Sequence, residues 1–192
     1  MAQVGSTARH DHVTAGVKRL VVTGSECTGK TTLAAALGAH YDVPVAPEFV
    51  REYAMAKAGP IDILDHWPIT RGQARLQDEA VSRARCARRP LVIFDTDLLS
   101  TVVYAWHYTG QCEAGIEAMA RARVADHYLL LDIDVPWVAD GVRDRGDRRE
   151  AIHLLFRETL ERFGAPYTLI RGSWDERFAA AIATVDGLLH QT

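Results

Sequence analysis

The sequence predicts an α/β protein in three layers: a parallel five-stranded sheet with helices on both faces. Three observations predict it. Short aliphatic or β-branched runs alternate with helix-forming stretches along the chain, and parallel strands joined by crossover helices produce that alternation. The run PLVIFD at 90–95 is apolar without a polar alternate, as in a strand buried on both faces. The octapeptide GSECTGKT at 24–31 fits GxxxxGK[ST], follows a strand-like run and opens a helix-like one, which is the context of a P-loop. The fold class is therefore a P-loop NTPase three-layer sandwich.

The elements follow in order. KRLVVTG (18–24) is a β-branched run ending in Gly, hence a strand. KTTLAAALGAHY (30–41) is rich in Ala and Leu, hence a helix. Val43 to Val45 supplies a second short strand, and the polar, aromatic segment PEFVREY follows it. Residues 71–89 form an Arg-, Glu- and Ala-rich helix before the strand at 90–95. Residues 114–124 predict a helix, 127–134 a strand, 148–163 a helix, 166–170 the fifth strand and 175–190 a closing amphipathic helix. Residues 1–17 are expected to be a loose tail and 18–192 one domain, a size that suits the 192-residue chain.

Composition narrows the function. Hydrophobic residues make up 48% and charged residues 24%, the balance of a globular chain. No run approaches the roughly 20 apolar residues of a membrane span, and residues 1–16 lack a secretory apolar segment. A net charge of -3 argues against a dedicated nucleic-acid binder. Three cysteines without a CxxC pair argue against a disulfide framework or zinc site and point to the cytoplasm. Oligomeric state has no signature here.

The chemistry starts at the P-loop. Gly24, Ser25, Glu26, Cys27, Thr28, Gly29, Lys30, Thr31 and Thr32 form an expected ATP-binding loop. Its glycines let backbone N–H groups turn toward phosphate oxygens, and the helix N-terminus adds partial positive charge. Lys30 is one of only three lysines among 22 basic residues, and it stands where it reaches the β- and γ-phosphates. Thr31 offers its hydroxyl to magnesium, with Asp95 at the end of the PLVIFD strand as the second Mg²⁺ contact. If the chain stays extended through FDTD, Asp95 and Asp97 face one side; Asp97 also fits a helix N-cap ahead of LLSTVVYAW.

Three P-loop classes compete. Guanine-reading GTPases carry an Asn-Lys-x-Asp element, which a chain without Asn cannot supply. Motor and remodelling ATPases place a Glu after the acidic residue that ends the strand, and here Thr96 follows Asp95. A small-molecule kinase needs an acceptor element after the second strand, an arginine lid after the fourth and an adenine-side loop after the last. PEFVREY supplies Glu48, Arg51, Glu52 and Tyr53 for the acceptor, with Trp67 flanking that region. DGVRDRGDRR supplies Arg143, Arg145, Arg148 and Arg149 for the lid, hinged at Gly141 and Gly146, and RGSWDERF supplies the last loop. Glu48 or Asp97 takes the acceptor's hydroxyl proton, and Arg143 with Arg145 or Arg148 neutralises the moving phosphoryl group.

GSECTGKTTL, EFVREY, FDTDLLST and DVPWVADGVRDRG, in this order, resemble the ribosylnicotinamide kinase domain of the NadR family, over about Leu20 to Leu189. The resemblance implies a fold like that of nucleoside and nucleotide kinases, and ATP- and Mg²⁺-dependent phosphorylation of the ribose 5′-hydroxyl of nicotinamide riboside, giving nicotinamide mononucleotide for NAD salvage. It maps Gly24 to Thr32 onto the ATP loop, Glu48, Arg51, Glu52 and Tyr53 onto the acceptor segment, Asp95 and Asp97 onto the acidic pair, and Trp137, Asp140 and Arg143 onto the approach to the lid. Some members place a Trp before the acceptor Glu, where this chain has Pro47. That leaves Trp67 or Tyr53 to face a pyridinium ring, or the acceptor is another nucleoside or small alcohol. An ATP-binding regulatory module without transfer activity is the rival from a different class.

Overall fold

The computed structural model describes residues 16–57, 59–135 and 149–190. Residues 1–15 of the expected 1–17 tail, the hinges Gly141 and Gly146, and Trp137, Asp140, Arg143, Arg145 and Arg148 lie outside the described residues, while Val17, expected in the tail, packs against the core.

Five strands, β1 (Lys18–Thr23), β2 (Val45–Ala46), β3 (Leu91–Asp95), β4 (His127–Leu131) and β5 (Tyr167–Ile170), form one parallel sheet in the order β2-β3-β1-β4-β5. Alternate side chains on the central strands face opposite layers. Val21, Val92, Phe94, Tyr128 and Leu130 join one buried cluster with residues of α3 (His66–Cys86), α4 (Leu98–Thr109), α5 (Ala114–Arg121) and α6 (Arg149–Phe163). Leu20, Val22, Leu91, Ile93, Leu129 and Leu131 join the other with α1 (Lys30–Tyr41) and α7 (Trp174–His190). The three-layer expectation is met, and the chain reverses direction across the sheet beside β1, the place where such sheets bind ligands.

The helix at 30–41 ends where the sequence predicts, but other bounds shift. The strand expected at 43–45 is Val45–Ala46, and the one expected at 127–134 stops at Leu131. The helix expected at 71–89 starts at His66, because Pro68 falls in its first turn, where a missing N–H leaves no bond unmade. The polar, aromatic segment after β2 is helical: Phe49–Lys57 forms α2. The Phe49 ring lies where a β-carbon on Gly72 would sit, so α2 docks closely on α3.

Gly24 ends β1 with φ 135°, and a β-carbon there would lie 2.9 Å from the Leu131 carbonyl oxygen. Both the backbone conformation and the close approach demand glycine. Gly24→Ala is expected to lower stability by about 1–3 kcal/mol, read by chemical denaturation; an unchanged midpoint would contradict the tight fit.

Candidate active site

The loop after β1 folds back on itself. The Lys30 ammonium donates to the Ser25 carbonyl at 2.8 Å, and the Thr28 hydroxyl donates to the same oxygen at 2.9 Å. Gly29 (φ 89°) precedes α1, whose first turn has neither a side-chain cap nor an acidic residue. The N–H groups of that turn are thus available to an anion. Cys27, Thr28, Gly29, Lys30, Thr31, Thr32 and Arg51 line a cavity of about 200 Å³. Glu26 sits at the loop's outer side, accepting a bond from the Tyr108 hydroxyl at 3.3 Å.

The ends of β2 and β3 bring acids to this loop. Asp95 is buried beside the Thr31 side chain and has its Oδ1 without a hydrogen-bond partner among the described residues. Burial pushes its carboxyl above the ordinary range; the neighbouring Thr31 hydroxyl opposes this, the nearby Glu48 charge adds to it, and Lys30 and Arg51 oppose it. An oxygen pair from Thr31 and Asp95, with one buried carboxylate oxygen unpartnered, fits a hard cation such as Mg²⁺, which takes few protein ligands and relies on phosphate and water for the rest.

Glu48 follows β2 and is only 9% exposed. Arg51, one turn further along, donates to its Oε2 at 3.3 Å. Gln73, a residue the sequence reading passed over, holds this corner. Its Oε1 accepts from the Phe49 N–H at 2.8 Å, and its Nε2 donates to the carbonyls of Pro47 (3.2 Å) and Thr96 (3.4 Å). The backbone on either side of Glu48 is thereby tied to the end of β3. Nothing in the local pattern of an Arg- and Glu-rich helix distinguishes this amide from a solvated one.

The expectation that Asp95 and Asp97 face one side is corrected. Thr96 between them adopts φ 72°, so the chain does not stay extended. Asp97 instead caps α4, accepting from Leu99 N at 3.1 Å, and its other oxygen accepts from the Tyr128 hydroxyl at 2.7 Å. Burial raises its pKa to about 6 in spite of these bonds.

The two expected ring-facing aromatics have partners of their own. The Tyr53 hydroxyl donates to Asp65 at 2.8 Å, and Asp65 also pairs with Lys57. The Trp67 indole N–H donates to Glu113 at 2.8 Å, and the Arg71 guanidinium lies 5.2 Å from its ring centre. Glu52 is exposed on α2. From the first turn of α7, the Trp174 ring comes within 3.9 Å of the position a β-carbon on Gly29 would take.

Residues 19–177 match the family model described as an AAA domain. Two curated relatives share the description "Trifunctional NAD biosynthesis/regulator protein NadR": the Escherichia coli K12 protein, 29% identical over 177 residues, and the Salmonella typhimurium LT2 protein, 27% identical over 180. The matches cover 88% and 90% of this chain but 42% and 43% of those proteins, so the chain spans less than half their length. A NadR crystal structure in complex with NR superposes with a TM-score of 0.79 at 24% identity, over 93% of this chain and 53% of that one. A NadR complex with NAD and AMP-PNP gives the same score over 92% and 51%. Thymidylate kinase from Ehrlichia chaffeensis gives 0.65 at 14% identity, over 88% and 99%. These likenesses establish the fold.

Asp97 yields a prediction independent of ligand. A carboxyl whose folded pKa is raised binds its proton more tightly in the folded state, so its contribution is most favourable below about pH 4 and is lost as pH rises through about 6. The stability difference between wild type and Asp97→Asn is expected to shift against wild type by on the order of 2–3 kcal/mol from pH 4 to 7. Urea denaturation across that range reads it, and a flat difference would contradict the buried-cap assignment.

Proposed function

This chain belongs to the AAA-domain family, and on that premise we propose that it is an ATP-dependent nucleoside kinase of the cytoplasm. Its acceptor is the ribose 5′-hydroxyl of nicotinamide riboside and its product nicotinamide mononucleotide. The observation that carries the reading is the convergence of Lys30, Thr31, Asp95, Glu48 and Arg51 at the carboxyl ends of β1, β2 and β3. NadR likeness over most of the chain supports the acceptor class.

The loop amides and Lys30 hold the triphosphate, Lys30 leaving the Ser25 carbonyl for phosphate oxygens. Thr31 and Asp95 would hold a magnesium ion, which would supply positive charge beside the phosphates. Glu48, kept beside the transfer point by Gln73, accepts the proton of the 5′-hydroxyl as its oxygen bonds to the γ-phosphorus. The bond from that phosphorus to the β–γ bridging oxygen breaks, and ADP leaves. Arg51 steadies the Glu48 carboxylate. Glu48 is favoured over Asp97 because both Asp97 oxygens already serve the α4 cap and Tyr128. Arg143, Arg145 and Arg148 remain proposed for closing over the phosphoryl group, and Glu52, Tyr53 and Trp67 for lining the nucleoside side.

The test is incubation with ATP, Mg²⁺ and a panel of nucleosides and small alcohols, with acceptor phosphate followed by mass spectrometry. Nicotinamide mononucleotide is the expected product. Another phosphorylated acceptor would overturn the substrate, and nucleotide binding without any product would favour a regulatory module. Glu48→Gln is expected to lower kcat by about 10²–10⁴-fold, with Asp97→Asn within a few-fold of wild type; the reverse order would move the base to Asp97. Lys30→Ala is expected to lower kcat/KM by at least about 10²-fold with an unchanged circular dichroism spectrum.

A further inference from the structure

Arg177, on the first turns of α7, is only 2% exposed, yet it carries a guanidinium into the protein directly behind the phosphate-binding loop. Its Nη1 donates to the Thr28 carbonyl at 3.1 Å, its Nε to the Gly172 carbonyl at 2.9 Å, and its Nη2 to the Asp132 carbonyl at 3.1 Å while pairing with the Asp134 carboxylate. One planar fork thus joins the loop after β1, the segment after β4 and the loop after β5. Burial alone would raise the Asp134 carboxyl, but the Gly172 N–H bond and the Arg177 charge outweigh it and hold it below the ordinary range. The pair is therefore ionised at neutral pH.

The bond to Thr28 has a directional consequence. Across a planar trans peptide, C=O and N–H point in opposite directions. A guanidinium that holds the Thr28 carbonyl therefore aims the Gly29 N–H to the other side, away from α7. Arg149, at the start of α6, repeats the arrangement one peptide earlier: it donates to the Cys27 carbonyl at 3.3 Å and to the Val135 carbonyl at 2.7 Å. The Thr28 N–H is thereby aimed away from that guanidinium. Two successive loop amides are oriented by arginines that grip the backs of their peptide planes.

We propose that Arg177 is a positioning residue for nucleotide binding: it sets the Thr28–Gly29 peptide plane so that the loop meets phosphate oxygens already formed. The proposal rests on the reading of this loop as the ATP-phosphate site. A loop held in its binding form loses less conformational freedom when the ligand arrives, so removal of the brace weakens nucleotide binding beyond its effect on folding. Lysine does not replace it, because a single ammonium cannot serve carbonyls and a carboxylate spread around a planar fork.

The experiment is calorimetric titration of MgADP into wild type, Arg177→Met, Arg177→Lys and Asp134→Asn, well below each variant's melting temperature. Arg177→Met and Arg177→Lys are expected to bind MgADP at least tenfold more weakly and Asp134→Asn about threefold, with the acceptor KM of each within twofold of wild type. A merely structural brace would lower the melting temperature and leave the MgADP affinity of the folded variants at the wild-type value, and that result would overturn the proposal. If neither Arg177 variant folds, Asp134→Asn decides by the same criterion. Wild type that fails to bind MgADP overturns the underlying ATP reading instead, which separates the two failures.

Discussion

A peptide turn with no room for a β-carbon sets the geometry of the phosphate-binding edge. At Gly24 the chain leaves the central strand against the Leu131 carbonyl, so the loop can close only where β1 and β4 are already paired. Strand register then fixes what reaches it. Val22 is level with Asp95 across β1 and β3, and the Thr96 N–H bonds back to the Val22 carbonyl at 3.0 Å. The acid at the end of β3 is delivered to Thr31 by backbone pairing rather than by a flexible side chain.

The next constraint is one residue wide. Thr96 is β-branched and sits at positive φ, a conformation that costs about 1–3 kcal/mol and persists only when its surroundings enforce it. Three bonds do so: its N–H to Val22, its hydroxyl to Ser100 at 2.6 Å, and its carbonyl to the Gln73 amide. The turn sends Asp95 toward the P-loop and Asp97 into the layer containing Tyr128. One acid stays available to the site while the other becomes architecture. The position after Asp95 is thus filled by a buried, bonded hydroxyl rather than by a carboxylate that could activate water, an arrangement that suits transfer to an alcohol better than hydrolysis.

Polar groups buried around the site act on the main chain as much as on each other. Gln73 binds backbone on both sides of Glu48, and Arg177 and Arg149 bind carbonyls of the loop itself. Buried donors of this kind need complete sets of partners. Here most of the partners come from segments distant along the chain, so the same bonds that satisfy a side chain also fasten one sheet-end loop to another.

Much of this was legible before any coordinates. The P-loop, the five strands and the helix at 30–41 follow from local pattern: glycine at required turns, aliphatic runs where both faces are buried, and Ala and Leu where a helix begins. The placement of Asp95 at a strand end and of Glu48 and Arg51 after β2 followed from the same order of elements. The helix at 49–57, the turn at Thr96 and the work of Gln73 did not. Arg177 is the clearest case, since its partner carbonyl lies 149 residues earlier. The sequence alone determined which faces are buried and where the P-loop lies, because hydrophobic period and glycine conformation are local properties. Only the tertiary structure decided which buried polar group meets which, because that choice is made by packing between segments that share no pattern along the chain.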